Sequence, residues 1–160
     1  FSEKEISKNL SSKVKRVFFD NSVIPSVNNP DELTVFVDGV KVTFLAYPFP
    51  LVKKLENFEG VALLSVKEIA ASKAYTIGRR GSYKDYIDLY FIISEGHSSI
   101  SEIIEIAEKK YGSEFNSRLF LEQLIYLEDI EDTKIVFLKS EIAKDDVRKF
   151  FEEETGKLQL

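Results

Sequence analysis

The feature that most constrains this chain is a pair of β-rich runs around Asp38-Gly39. Leu33-Thr34-Val35-Phe36-Val37 precedes the dipeptide and Val40-Lys41-Val42-Thr43-Phe44-Leu45 follows it. β-Branched and aromatic residues fit a pleated, half-buried surface. Asp-Gly supplies the two positive-φ positions of a type I′ turn, whose twist matches that of the strands it joins. An antiparallel hairpin is therefore expected. Phe18-Phe19 and Val23-Ile24 predict one or two more short strands, and Asn28-Asn29-Pro30-Asp31 is a turn cluster. Tyr47-Pro48-Phe49-Pro50 should end the sheet, because proline cannot donate to a ladder.

The rest reads as helix. Ser2 with Glu5 forms a capping-box pattern for a helix over 2–16, with Ile6, Leu10, Val14 and Val17 at helical spacing. Ser65 with Glu68 repeats the pattern for a helix to about Ile77, and Gly78 to Ser82 reads as a break. Tyr83–Ser94 is apolar nearly all round, as in a buried helix. Further helices are predicted from Ser98 or Ser99 to Tyr111, over 114–128 and over 141–153, the last with Val147, Phe150 and Phe151 as its apolar face. Ile135–Leu138 fits either strand or helix. Strands first and helices afterwards indicate an α+β fold: a small, mostly antiparallel sheet over about 17–46, then a helical C-terminal part. The expected division is a sheet region 1–64 and a helical region 65–160 within one compact unit.

Composition narrows the chemistry. The chain has 160 residues and a net charge of −5, so a global basic footprint for nucleic acid is lacking. It has no Cys and one His, His97, which excludes disulfides and thiolate chemistry and argues against a zinc site. His97 reads as an ordinary exposed loop residue. The acid runs 128–132 and 152–154 read as solvated helix ends, the first lacking the glycine of a calcium loop. No apolar run is long enough to span a membrane, no signal peptide is evident, and a cytoplasmic location is expected. The chain opens on Phe1 and contains no Met, so translation is expected to start upstream.

One constellation invites chemistry. At about 100° per residue, Val66, Ile69, Ala70, Lys73 and Ile77 share one face of the helix from Ser65, with Lys67, Glu68, Ser72 and Arg79 opposite. A lysine within an apolar stripe needs a partner, since desolvating a lone charge is costly. Arg80 and Lys84 would keep Lys73's phase if the helix continued, although Gly81-Ser82 interrupts it. Asp85 and Asp88 sit three apart on the next helix. The economical reading gathers Lys73, Arg80, Lys84, Asp85 and Asp88 around one polar pocket. The plainer one lets Lys73 snorkel outward and makes Lys84 and Asp88 an ordinary i,i+4 pair. Arg79, Arg80, Tyr83 and Lys84 could also form a local phosphate-and-stacking patch.

These residues carry a resemblance. Ile69-Ala70-Ala71-Ser72-Lys73, Arg80-Gly81, Lys84-Asp85 and Asp88-Leu89-Tyr90 resemble the signature of the AbiEii/AbiGii-type nucleotidyltransferase toxins, with Thr76 where Ala is more usual. Asp38–Val42, Tyr47–Pro50 and Phe1-Ser2-Glu3 are similar to that family's sheet segment and to the stretch after its catalytic strand. The resemblance implies a nucleotidyltransferase fold of the DNA polymerase beta-like superfamily, Mg²⁺ and a nucleoside triphosphate, and transfer of a nucleotide to an acceptor such as tRNA. It implies a toxin of a toxin–antitoxin or phage-defence system, with an antitoxin as partner. It casts Lys73, Asp85 and Asp88 as catalytic, with the two acids orienting the cations, and Lys73, Arg80 and Lys84 as phosphate-binding.

The chain departs from that pattern. The Gly-Ser or Gly-Gly turn and the Asp-x-Asp strand that hold metal and phosphates are expected before Phe1. Thr43 stands where a third carboxylate often sits. The fold is thus expected to be incomplete, with no metal ligands in this stretch and catalysis by it alone uncertain. The alternative is a non-catalytic relative that binds a protein or RNA.

Overall fold

The structure is a computed structural model describing residues 5–131, 134–138 and 140–158, and of Arg80 the backbone only. It is α+β and divides into two compact units, Phe1–Pro50 and Leu51–Leu160.

In the first unit, helix α1 (Leu10–Val17) is followed by strands β1 (Val23–Asn28), β2 (Glu32–Val37) and β3 (Val40–Leu45) in an antiparallel sheet of order β1-β2-β3. The hairpin turn is as the sequence demands: Asp38 and Gly39 have φ of 47° and 84°. Asp38 also ties the turn to the start of β1, accepting from the Asn21 side chain at 2.5 Å and the Ser22 N–H at 2.8 Å. Leu33, Val35 and Val37 of the central strand are buried with Val14, and Ile6, Leu10 and Phe18 pack against them. Pro25 lies on edge strand β1 where the register slips, so its missing N–H breaks no regular ladder.

Two readings of this unit need correction. The helix expected from residue 2 begins at Leu10, because the Ile6 N–H donates to the Pro30 carbonyl at 2.8 Å and holds the preceding segment out of helix. The Ser2 cap lies outside the described residues. Phe18 and Phe19 are not strand: the Phe18 N–H closes the last turn of α1 on the Val14 carbonyl.

The second unit opens with a hairpin that sequence reasoning missed, β4 (Glu56–Phe58) and β5 (Val61–Leu63). Its turn repeats the first, with φ of 50° at Glu59 and 83° at Gly60. Glu-Gly between runs of three was too weak a signal. Helices α2 (Val66–Arg80), α3 (Tyr83–Ser94), α4 (Ile100–Tyr111), α5 (Ser117–Ile125) and α6 (Lys144–Gly156) follow, with a single 3₁₀ turn at Gly112–Glu114. The described residues of Ile135–Leu138 form neither helix nor strand. Tyr86, Leu89, Ile103, Phe120, Leu124, Val147 and Phe151 form the core of this unit.

Helix α2 runs three residues past Ile77, so the break shrinks to Gly81-Ser82. Gly81 is needed there: a Cβ would meet Tyr86 Cε2 at 3.1 Å and Ile77 Cα at 3.2 Å. The buried face of α2 also differs from the expected stripe. Ala70, Ala71, Ala74 and Ile77 are buried, whereas Val66 and Ile69 are more than a third exposed. Small side chains allow close helix approach, and that outweighs the bulk of Val66 and Ile69.

Candidate functional site

Ser65 caps α2 as expected, its hydroxyl accepting from the Glu68 N–H at 3.3 Å. Glu68, however, does not reach back to close the box, nor does it lie on a solvated face. It is fully buried. One carboxylate oxygen accepts from the Val52 and Lys53 N–H groups at 2.6 and 2.7 Å, and the other pairs with Lys110 of α4 at 2.6 Å. Neither side chain of this pair has any exposure. Sequence reasoning missed it; the signal available was a lysine, Lys110, at a core-facing position of an otherwise regular amphipathic helix.

One and a half turns further along α2, Lys73 reaches across the elbow to α3. Its ammonium lies 2.8 Å from Asp85 Oδ1 and 2.5 Å from Asp88 Oδ2. The second oxygen of Asp85 accepts from the Ser82 N–H at 3.0 Å and the Ser82 hydroxyl at 2.9 Å. Asp85 thus caps α3 and anchors Lys73 at once, the use of an acidic residue in a first turn that the helix dipole favours. The exposures grade outward: 13% for the Asp85 side chain, 27% for Lys73 and 49% for Asp88.

The charges are mutually consistent. Burial pulls the Lys73 pKa down, but hydrogen bonds and charge from Asp85 and Asp88 outweigh it and hold the ammonium above the usual lysine value. Burial pushes the Asp85 carboxyl up, but Lys73 and both Ser82 donors outweigh that and hold it below the usual carboxylate range. An ammonium has three donors. Two are committed to the aspartates, which leaves one for a ligand.

Ser72, Lys73, Thr76, Ser82 and Asp85 line a pocket of about 320 Å³. Its hydroxyls already spend their hydrogens: Ser72 on the Glu68 carbonyl, Thr76 on the Ser72 carbonyl and Ser82 on Asp85. Lys73 is therefore the donor that the pocket offers to an anion. A larger depression, about 810 Å³, lies elsewhere, lined by Ile104, Leu121, Ile125 and Leu158 among others. Glu105, Glu108, Arg118 and Glu122 also line it, with Arg118 and Glu122 paired at 2.9 Å on the surface of α5, and size alone does not mark it as the site.

Of the residues singled out in the sequence, Lys73, Asp85 and Asp88 come together. Lys84 is exposed, does not line the pocket and forms no ion pair among the described residues; Asp88 takes Lys73 as its partner instead. The Arg80 side chain lies outside the described residues. Arg79 stacks 4.1 Å over the Tyr75 ring and pairs with Glu114, turned to a different neighbourhood from Lys73. Tyr83 is buried in the core. His97 is half-exposed, 3.4 Å from Glu95. Thr43 shares a 2.8 Å hydrogen bond with Thr34 across the first hairpin. Among the described residues no group of three or more His, Asp or Glu could hold a metal. Asp85 and Asp88 enclose an ammonium where a cation would have to sit, so this donor set does not fit Mg²⁺. No helix among the described residues is long and apolar enough to cross a membrane.

The chain is thus α+β, with a lysine of its helical unit held against two aspartates of the following helix beside a small polar pocket. The family model described as nucleotidyl transferase AbiEii toxin, type IV TA system, matches residues 15–158, and the chain belongs to that family. An uncharacterised protein of Aquifex aeolicus (strain VF5) is 32% identical over 123 residues, covering 76% of this chain and 58% of that protein. The chain thus spans somewhat more than half the length of that relative. No solved structure matches.

Proposed function

We propose that the Lys73 pocket contributes a phosphate contact to nucleotidyl transfer by the whole protein, acting as the toxin of a type IV toxin–antitoxin system with a nucleoside triphosphate as donor. The observation that carries this reading is the Lys73 ammonium held on a pocket wall by Asp85 and Asp88 with one donor unspent. Asp85 fixes the lysine's position and keeps it charged. Asp88, half-exposed, is the partner an incoming phosphate can displace. Arg80 and Lys84, one on either side of the elbow, take phosphate-binding roles in this reading only by resemblance to the family signature. Mg²⁺ would be held by residues other than those described here. The acceptor, tRNA or another hydroxyl, is read elsewhere on the protein, and the site is cytoplasmic.

A second reading has one observation in its favour. Lys73, Asp85 and Asp88 together carry a net charge of −1, which does not favour an anion by itself and would suit a non-catalytic relative that binds a protein or RNA.

Titration of the chain with inorganic tripolyphosphate separates the two. Lys73→Ala should weaken binding by roughly 10- to 100-fold, the loss of a charge-assisted hydrogen bond, and Lys73→Arg should restore part of it. Unchanged affinity in Lys73→Ala would remove Lys73 from the phosphate site.

A further inference from the structure

The larger depression, of about 810 Å³, is walled by α4 and α5 and closed at one end by residues at and just after the end of α6. α4 turns Ile104, Glu105 and Glu108 toward it, and α5 turns Leu121, Glu122 and Ile125. Each helix lines it over roughly two turns, ~10–12 Å of helix axis. The floor is aliphatic. Ile104, Leu121 and Leu158 rest on the core of the unit, which fixes their positions, whereas Ile125 is 38% exposed and stands outside that core. The rim is acidic and exposed. Glu105 pairs with Lys109 and Glu122 with Arg118, but Glu108 forms no ion pair among the described residues. A trough of this length with an apolar floor is the receiving half of a helix-in-groove contact, in which a helix inserts residues at i, i+3, i+4 and i+7.

We propose that this groove docks a basic amphipathic helix of a partner protein, its aliphatic stripe on Ile104, Leu121 and Ile125 and its lysines or arginines against Glu108 and Glu105. Burial of the aliphatic floor supplies the attraction. The rim charge selects the partner and steers its approach. Glu108 gains most from an incoming cation, since it has none of its own. The same rim argues against the other large ligands. A nucleic acid or an anionic membrane would set phosphates against three carboxylates and meet one guanidinium, which already serves Glu122. A second copy of this chain, with its net charge of −5, would bring more acid to an acidic rim. The groove shares no lining residue with the Lys73 pocket, so the inference stands apart from the phosphate assignment.

The experiment titrates the chain into a fluorescently labelled leucine–lysine model helix and into its leucine–glutamate counterpart, with anisotropy as the readout. The lysine helix is expected to bind saturably and the glutamate helix not to bind. Ile125→Ser, at a position outside the core, should weaken binding roughly tenfold by removing apolar contact, at low and high salt alike. Glu108→Lys should also weaken it roughly tenfold at low salt, and that loss should shrink as salt screens the rim. Lys73→Ala should change nothing. Absence of saturable binding would overturn the proposal. So would binding indifferent to Ile125→Ser, which would be adsorption by charge alone, or equal affinity for the two helices, which would remove the rim's role. Sedimentation of the chain alone gives the remaining outcome: self-association abolished by Ile125→Ser would assign the groove to a second copy and overturn the partner reading.

Discussion

Two of the lysine–carboxylate contacts that helix α2 makes with neighbouring helices differ in what they leave over. At Glu68 and Lys110 both side chains are sealed from solvent and the carboxylate also accepts two backbone N–H groups. At Lys73 the exposure climbs from Asp85 to Asp88, and a pocket opens alongside. Burying two charges is costly, and the cost is recovered only when geometry and further hydrogen bonds satisfy every lone pair. The sealed pair meets that condition by fixing the 52–53 segment and α4 onto α2, which leaves no room for a ligand. The open cluster is less fully desolvated and keeps capacity in reserve. The difference separates a structural ion pair from a candidate site better than the identity of the residues does, since both are a lysine and acids on adjoining helices.

The comparison is broken most directly at the sealed pair. Lys110→Met leaves the Glu68 carboxylate buried without its cation and should cost about 3–5 kcal/mol in chemical denaturation. Adding Glu68→Gln should recover a large part of that loss, because an uncharged pair no longer needs the interior to hold a charge. If Lys110→Met costs no more than an ordinary surface substitution, the pair is not sealed in solution. Neither variant should change tripolyphosphate binding per folded molecule.

A smaller effect is expected at the elbow that positions the open cluster. Gly81→Ala places a methyl 3.1 Å from the Tyr86 ring and 3.2 Å from the Ile77 backbone. Relief must come from moving α2 against α3, at about 1–3 kcal/mol, the usual cost of overpacking. That shift separates Lys73 from Asp85 and Asp88 but leaves the α2–α4 contact in place. Tripolyphosphate affinity should therefore fall while the Lys110→Met increment stays the same. An increment that shrinks would mean the two clusters are coupled.

How much of this was legible in advance follows from which forces are local. The Asp38-Gly39 hairpin, the Ser65 cap and the span of α3 depend on dihedral preference and nearest-neighbour periodicity, and each stands where the sequence put it. Lys73 with Asp85 and Asp88 could be inferred because a charge on an apolar stripe and a short elbow leave few places for its partner. The phase of α2 could not. Packing of Ala70, Ala71 and Ala74 against neighbouring helices, a non-local choice, set which face went in and carried Glu68 with it. Lys110 is 42 residues from Glu68, and no spacing rule connects them. Lys84 shows the limit from the other side: it shares the signature with Asp85 and Asp88, yet its side chain is exposed and stands apart from the pocket.

The smallest effect tests the charge of the open cluster alone. Asp85 is held below the ordinary carboxylate range in the folded state. A depressed folded pKa contributes stability that is fully present above the unfolded value and is lost as pH falls through the folded one. Lys73 is raised, so its contribution is present below the ordinary lysine value and is lost as pH rises through its folded value. Between those limits the cluster should be indifferent to pH. Asp85→Asn keeps an acceptor for the Ser82 cap but removes the charge, so it should cost about 1 kcal/mol near neutrality and less at pH 3. Melting curves of the two proteins from pH 7 to pH 3 should therefore converge on the acid side. Parallel curves would mean that Asp85 acts only as a cap, and the distinction between the sealed pair and the open cluster would then rest on Asp88.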